Sequence, residues 1–148
     1  MAGTHPVSAT YLVNPFFPTS SGSMTQVVGL QPTSTSLTSS VNPSTFGDSV
    51  TFTATVASAS APNAGTVTFF DNGIQIGSPV AVTPLNMTSS QATLTTSTLA
   101  ASGAAHPITA QYSGGGGFTA SASNTVNQTV AKANTTIFVT GSGPTVFG

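Results

Sequence analysis

Between Val50 and Val56 the chain alternates strictly, with Val50, Phe52, Ala54 and Val56 on one parity and Thr51, Thr53 and Thr55 on the other. Successive side chains of an extended strand point to opposite faces, so this segment can bury one face only, as a strand of a half-buried antiparallel sheet does. Val67 and Phe69 continue the pattern up to Asp71-Asn72-Gly73, residues that tolerate the left-handed backbone of a tight hairpin, before Ile74 and Ile76. Further strands are expected at 80–82, at Ala92 and Leu94, at Ile108, Ala110 and Tyr112, and along 120–130, where Val126 and Val130 share a parity. No segment has a helical period. Seven or so short strands in about 100 residues, separated by Asn-Pro, Ala-Pro-Asn, Asp-Asn-Gly and Gly-rich turns, predict an all-β chain with an immunoglobulin-like antiparallel β-sandwich.

A second regularity sets the domain boundaries. His5-Pro6-Val7-Ser8-Ala9-Thr10-Tyr11 falls on His106-Pro107-Ile108-Thr109-Ala110-Gln111-Tyr112 when the sequence is shifted by 101 residues. In the same register Phe17 falls on Phe118, and Pro43-Ser44-Thr45-Phe46-Gly47 falls on Pro144-Thr145-Val146-Phe147-Gly148. Residues 1–32 therefore read as the C-terminal strands of one repeat, 33–132 as a complete repeat, and 133–148 as the first strand region of another.

The surface such strands present is almost uncharged. Asp48, Asp71 and Lys132 are the three side chains charged at neutral pH, the net charge is −1, and there is no Arg, Glu, Cys or Trp. Nucleic acid and anionic lipid both require clustered Lys or Arg, so neither is a partner. Low hydrophobicity with high net charge marks disorder; here 38% of residues are hydrophobic and charge is nearly absent, so the chain is expected to fold. The 27 Thr and 21 Ser take over the solvating work of Lys and Glu, and offer acceptors for O-linked glycans. Three Asn-x-Thr sequons, at Asn86, Asn127 and Asn134, are about what chance gives in such a composition. No apolar run is long enough to span a bilayer. Met1-Ala2-Gly3-Thr4-His5-Pro6 lacks the basic region and apolar stretch of a signal peptide, so an export signal is expected outside this chain. Without Cys, disulfides and thiolate metal sites are both excluded.

Three segments together carry a family resemblance. The run from Thr35-Ser36-Leu37-Thr38 through Asn42-Pro43-Ser44-Thr45-Phe46-Gly47-Asp48-Ser49-Val50-Thr51-Phe52-Thr53-Ala54-Thr55-Val56, then Gly65-Thr66-Val67-Thr68-Phe69-Phe70-Asp71-Asn72-Gly73, then His106-Pro107-Ile108-Thr109-Ala110-Gln111-Tyr112-Ser113-Gly114, resembles the bacterial Ig-like repeat family. The resemblance implies tandem arrays on large secreted or surface-anchored bacterial proteins, working as stalks, adhesin shafts or fibre units. Such repeats often carry an acidic loop after Tyr-Ser-Gly. This chain has four glycines at 114–117, and Val13-Asn14-Pro15-Phe16 in the partial repeat, so the acidic residues of a calcium clamp are missing from these loops.

Candidate chemistry is sparse. His5 and His106 occupy equivalent places in successive repeats, tens of ångströms apart, which suits corner hydrogen bonding at a strand start better than a shared metal. A Ser-His-Asp set drawn from His106 and Asp48 or Asp71 lacks the Gly-x-Ser-x-Gly elbow, so no catalytic, cofactor or metal residues are expected. Asp48 and Asp71 are expected to serve their turns, and 114–117 to be a flexible hairpin tip lacking the context of a phosphate loop. Phe16, Phe17 and Phe70 are expected in the core or in contacts between units rather than on a sugar platform. With so few titratable groups, stability is expected to be nearly flat between about pH 3 and pH 9.

A hairpin alone is marginal in water and a lone strand is unstable, so the two partial repeats are expected to pair with something. Either a longer tandem polypeptide or strand addition between neighbouring copies supplies the partner, and both describe a polymer. The residues expected at that interface are Val7, Ala9, Tyr11, Phe17 and Val27 on one side and Ile137, Phe138 and Val139 on the other. The expected function is a structural unit of an extracellular bacterial filament at the cell surface. The alternatives are an adhesin stalk or carbohydrate-binding accessory module with a surface glycan ligand, and a virion decoration domain.

Overall fold

The computed structural model describes residues 2–141 and 143. In chain order its strands are β1 (Gly3–Tyr11), β2 (Ser20–Val28), β3 (Ser34–Ser39), β4 (Ser44–Thr45), β5 (Val50–Ala57), β6 (Thr66–Asp71), β7 (Ile74–Ala81), β8 (Thr83–Pro84), β9 (Ser89–Thr96), β10 (His106–Tyr112), β11 (Ser121–Ala122), β12 (Val126–Gln128) and β13 (Val130–Ala131). Among the described residues there is no helix.

Two sheets make the sandwich. One runs β3-β5-β9-β8; the other runs β11-β10-β6-β7, with β12 also on β10. The alternation of 50–56 is realised as expected: Val50, Phe52, Ala54 and Val56 are buried while the threonines between them lie half-exposed. Opposite them Val67, Phe69, Ile108, Ala110 and Tyr112 supply the inner face of the second sheet, and Leu37, Ala92 and Val130 join the same apolar cluster. Asp71 pairs with Ile74 across the predicted hairpin, whose Asn72 and Gly73 take φ of 48° and 79°. These positive values match the right-handed twist of the flanking strands, which is why Asn-Gly is favoured there.

The first strand of the sandwich changes partner part-way. β3 pairs with β5, whereas β4, a few residues on, runs parallel to β13. Gln128, fully buried, holds this crossing: its Oε1 accepts from Ser39 Oγ at 2.7 Å, and its Nε2 donates to Ser44 Oγ and to the Thr129 carbonyl, each at 3.2 Å. Asn42 adds a donor to the Asn127 carbonyl at 2.8 Å and accepts from the Thr129 amide at 3.0 Å.

β10 and its partner carry one irregularity that matters below. Tyr112 pairs with Ser121 and Gln111 with Ala122, but Ile108 pairs with Val126, so the segment 123–125 holds one residue more than the opposing strand. This bulge frees Asn124 to hold the backbone of β3: its Oδ1 accepts from the Leu37 amide at 2.9 Å and its Nδ2 donates to the Leu37 carbonyl at 3.2 Å.

β1 and β2 form a separate antiparallel hairpin, paired without interruption from Gly3 with Val28 to Tyr11 with Ser20, and every residue in it is exposed. The 101-residue shift lays it on β10 and its partner strands. The hairpin joins the sandwich through Gln31, whose amide donates to the Gly117 carbonyl at 2.8 Å and whose carbonyl accepts from the Thr119 amide at 2.9 Å. Residues 133–141 and 143, the described part of the expected next repeat, form no strand, and residues 142 and 144–148 lie outside the described residues.

Truncating Phe52 to Ala is expected to cost about 3–5 kcal/mol, because the site is fully buried and closed on all sides. Gln128→Ala is expected to cost about 1–3 kcal/mol by leaving the Ser39 and Ser44 hydroxyls unpaired. Thr53→Ala, on the outer face, is expected to stay within about 0.5 kcal/mol. Urea titration of each variant gives the comparison.

Candidate assembly surface

Cross-strand partners in an antiparallel pair share a face, so register decides what the β1–β2 hairpin presents. Val7, Ala9 and Tyr11 lie on one face and bring with them Met24, Gly22 and Ser20, and Val28 opposite Gly3. Val27 pairs with Thr4 and therefore belongs to the other face, apart from the residues it was expected to join. The sequence reading missed Met24 and Val28 because the parity of β2 depends on whether the hairpin carries the bulge seen at 123–125, and it does not.

The apolar face has a definite relief. Ala9 lies opposite Gly22, and this low pair is walled by Val7 with Met24 on one side and by Tyr11 on the other. An open apolar notch results, lined by Val7, Ala9, Gly22, Ser23 and Met24. A Cβ at Gly22 meets nothing within 4 Å, so the notch is bounded by solvent above.

Phe17 sits at the far end of the hairpin, in a turn closed by the Asn14 amide donating to the Phe17 carbonyl at 3.1 Å and the Phe17 amide donating to the Asn14 carbonyl at 3.3 Å. Asn14 also accepts from the Phe16 and Phe17 amides through its side-chain oxygen and donates to the Tyr11 hydroxyl. Gly115 and Phe118 make the same paired bonds in the complete unit. Phe16 and Phe17 are both exposed, whereas Phe70 is half-buried within β6. Ile137, Phe138 and Val139 are 90%, 88% and 92% exposed, and the hairpin of their own chain does not cover them.

The run 114–117 has a backbone shape that calls for glycine. All four residues have φ between 61° and 134°, and a Cβ on Gly114 would meet the Ala120 amide nitrogen and the Phe118 carbonyl oxygen at 2.9 Å each. Glycine is required there by geometry, and the tip is packed beside the linker at Gln31.

His106, at the start of β10, is the most constrained titratable group. Its Nδ1 lies 2.7 Å from Asp71 Oδ2 and its Nε2 lies 2.8 Å from the Ala100 carbonyl. An ionised carboxylate and a carbonyl only accept, so making both bonds requires both ring nitrogens to donate, which is the imidazolium form. The Ala100 carbonyl has the largest effect on His106; burial opposes it, and the bond to Asp71 with its charge adds to it, so that the pKa lies above its ordinary value. With both nitrogens engaged, the ring has none left to activate a hydroxyl. Asp48 accepts from the Thr45 amide at 2.7 Å, serving its turn. Among the described residues no three His, Cys, Asp or Glu side chains come together as metal ligands, and no helix is long and apolar enough to cross a membrane.

A profile of the bacterial Ig-like domain (group 3) matches residues 37–131, which run from within β3 to the end of β13. No curated protein and no solved structure matches the chain.

The His106 geometry adds one modest slope to the nearly flat pH dependence expected from so few titratable groups. A group whose folded pKa is raised stabilises the fold fully below its unfolded value, near 6.5, and loses that contribution as pH rises through the folded value. The unfolding midpoint is therefore expected to fall modestly on going from about pH 6 to pH 9. His106→Gln is expected to remove that slope, which thermal unfolding across the same range reads directly.

Proposed function

This chain belongs to the bacterial Ig-like domain family, a family of modules of surface and extracellular proteins, and we propose that it serves as a structural unit of an extracellular bacterial fibre whose Ig-like units are joined by β-strand pairing. The observation that carries this reading is the contrast between two equivalent pieces of chain. In the complete unit, Ile108, Ala110 and Tyr112 are buried against the facing sheet. Their counterparts Val7, Ala9 and Tyr11, on a hairpin of matching residues, face solvent.

A two-stranded hairpin with an apolar face is stable when a third strand or a facing layer covers it. Among the described residues β1 and β2 form a two-stranded sheet with no third strand, so sheet edges as well as apolar area are offered to a neighbouring unit. Strand addition uses both, drawing affinity from the backbone and specificity from alternate side chains. The serine and threonine hydroxyls on the outer faces keep such a polymer hydrated without charge, and they supply the acceptors for O-linked glycans in this reading.

Negative-stain electron microscopy of the purified chain is expected to show regular filaments, and dispersed monomers under all conditions would overturn the reading. Val7→Asp is expected to abolish filaments while leaving the urea midpoint of the sandwich within about 0.5 kcal/mol of the parent, since Val7 lies outside that core.

A further inference from the structure

We infer that residues 134–140 of one copy form a strand laid across the Val7, Ala9 and Tyr11 face of β1–β2 in a second copy, with Phe138 seated in the notch over Ala9 and Gly22. This rests on the fibre reading above and adds to pairing at the hairpin's edges a contact stacked on its apolar face.

The complete unit provides the template. There β3 crosses the β10, β11 and β12 strands, with Leu37 buried in the same cluster as Ile108, Ala110 and Tyr112. Thr35 Oγ1 lies 2.7 Å from Ser121 Oγ, a hydroxyl pair that fixes the crossing point. Shifting by 101 residues turns Thr35 into Thr136, Leu37 into Phe138 and Ser121 into Ser20, all with the chemistry retained.

Where the two sets differ, they differ in a complementary way. Phe138 is larger than Leu37, and it faces Gly22, which stands where the complete unit has Ser123. The deeper notch and the larger side chain match. Asn124, which clamps the Leu37 backbone, is replaced by Ser23, so the segment 134–140 is held by apolar burial in place of an amide clamp. Ile137 and Val139 stand where β3 has the exposed Ser36 and Thr38, so a strand formed by this segment carries large apolar side chains on both faces, Phe138 on one and Ile137 with Val139 on the other. Such strands are covered on both sides, which suits an interior position in an assembly and not the solvent edge that β3 occupies.

Reach identifies the partner as another molecule. The hairpin attaches through Gln31 beside Gly117 and Thr119, next to the tip that follows Tyr112. The segment 134–140 departs after β13, past Gln128, which pairs with His106 at the opposite end of β10. Seven residues of strand separate these ends, roughly 20 Å. The connector at 131–133 spans about 10 Å at most, so a copy cannot lay this segment on its own hairpin. A contact between two different surfaces is heterologous, and unless its rotation closes a ring it propagates as an open filament.

The chain has no cysteine, so introduced pairs report cleanly. Ala9→Cys and Phe138→Cys variants are mixed under mild oxidation and run on non-reducing gels, with mass spectrometry of the linked peptides. A dimer joining positions 9 and 138, in the mixture well above either variant alone, is the expected result, since a disulfide forms only when the two Cα atoms come within about 7 Å. Gly22→Leu, whose Cβ meets no atom within 4 Å in the single copy, is expected to abolish both that dimer and the filaments. Filaments without the 9–138 link, or filaments that persist with Gly22→Leu, overturn this inference and leave the fibre reading standing. Neither filaments nor link overturns both, and the link without filaments upholds the contact while sinking the fibre.

Discussion

The apolar layer between the two sheets, to which Phe52, Phe69 and Tyr112 contribute their whole side chains, is the interaction on which the rest of the chain depends. Each strand has one face to bury, so neither sheet is stable unless the other lies over it. With hardly any charge and no disulfide available, nothing else in the sequence substitutes for that layer. The polar features that do lie inside it, Gln128 and the Asn124 clamp, serve to place β3 and β4 where they close the layer along its open side.

The same constraint explains why the β1–β2 hairpin is informative. It has the residues of a sheet that belongs in such a layer, and it has no facing sheet among the described residues. Its uninterrupted register differs from the bulged register of β10 and its partners, and the difference is written in side chains. Asn124 has a backbone to hold and a bulge that lets it do so, whereas Gly22 and Ser23 have neither. One residue of register is enough to exchange Val27 for Met24 and Val28 on the apolar face.

Much of this was legible in the sequence where the signal was local. The parity of 50–56 named the buried residues, and Asp71-Asn72-Gly73 named its turn, because each depends on neighbours a few positions away. The features that were not legible join distant positions. The bond from His106 to Asp71 spans 35 residues, and no sequence pattern announces that the Ala100 carbonyl will face the other ring nitrogen. The packed tip at 114–117 has the composition of a loose loop; only the closeness of Gly114 to the Phe118 and Thr119 backbone shows that glycine is there for shape. The parity of β2 depended on a bulge whose presence is set by what Asn124 holds across the sandwich.

The parallel pairing of β4 with β13 has a mechanical meaning. β4 follows the entry of the chain into the sandwich and β13 precedes its exit, so tension drawn through the chain pulls the two strands along their common axis in opposite directions. Their connections, from the Ser44 amide to the Thr129 carbonyl, from the Phe46 amide to the Ala131 carbonyl, and from Asn42 to both Asn127 and Thr129, are then loaded in shear and together. A hairpin pulled from its open end unzips one bond at a time; this arrangement yields only when several give way at once, and it resists a load applied between the two ends of the unit.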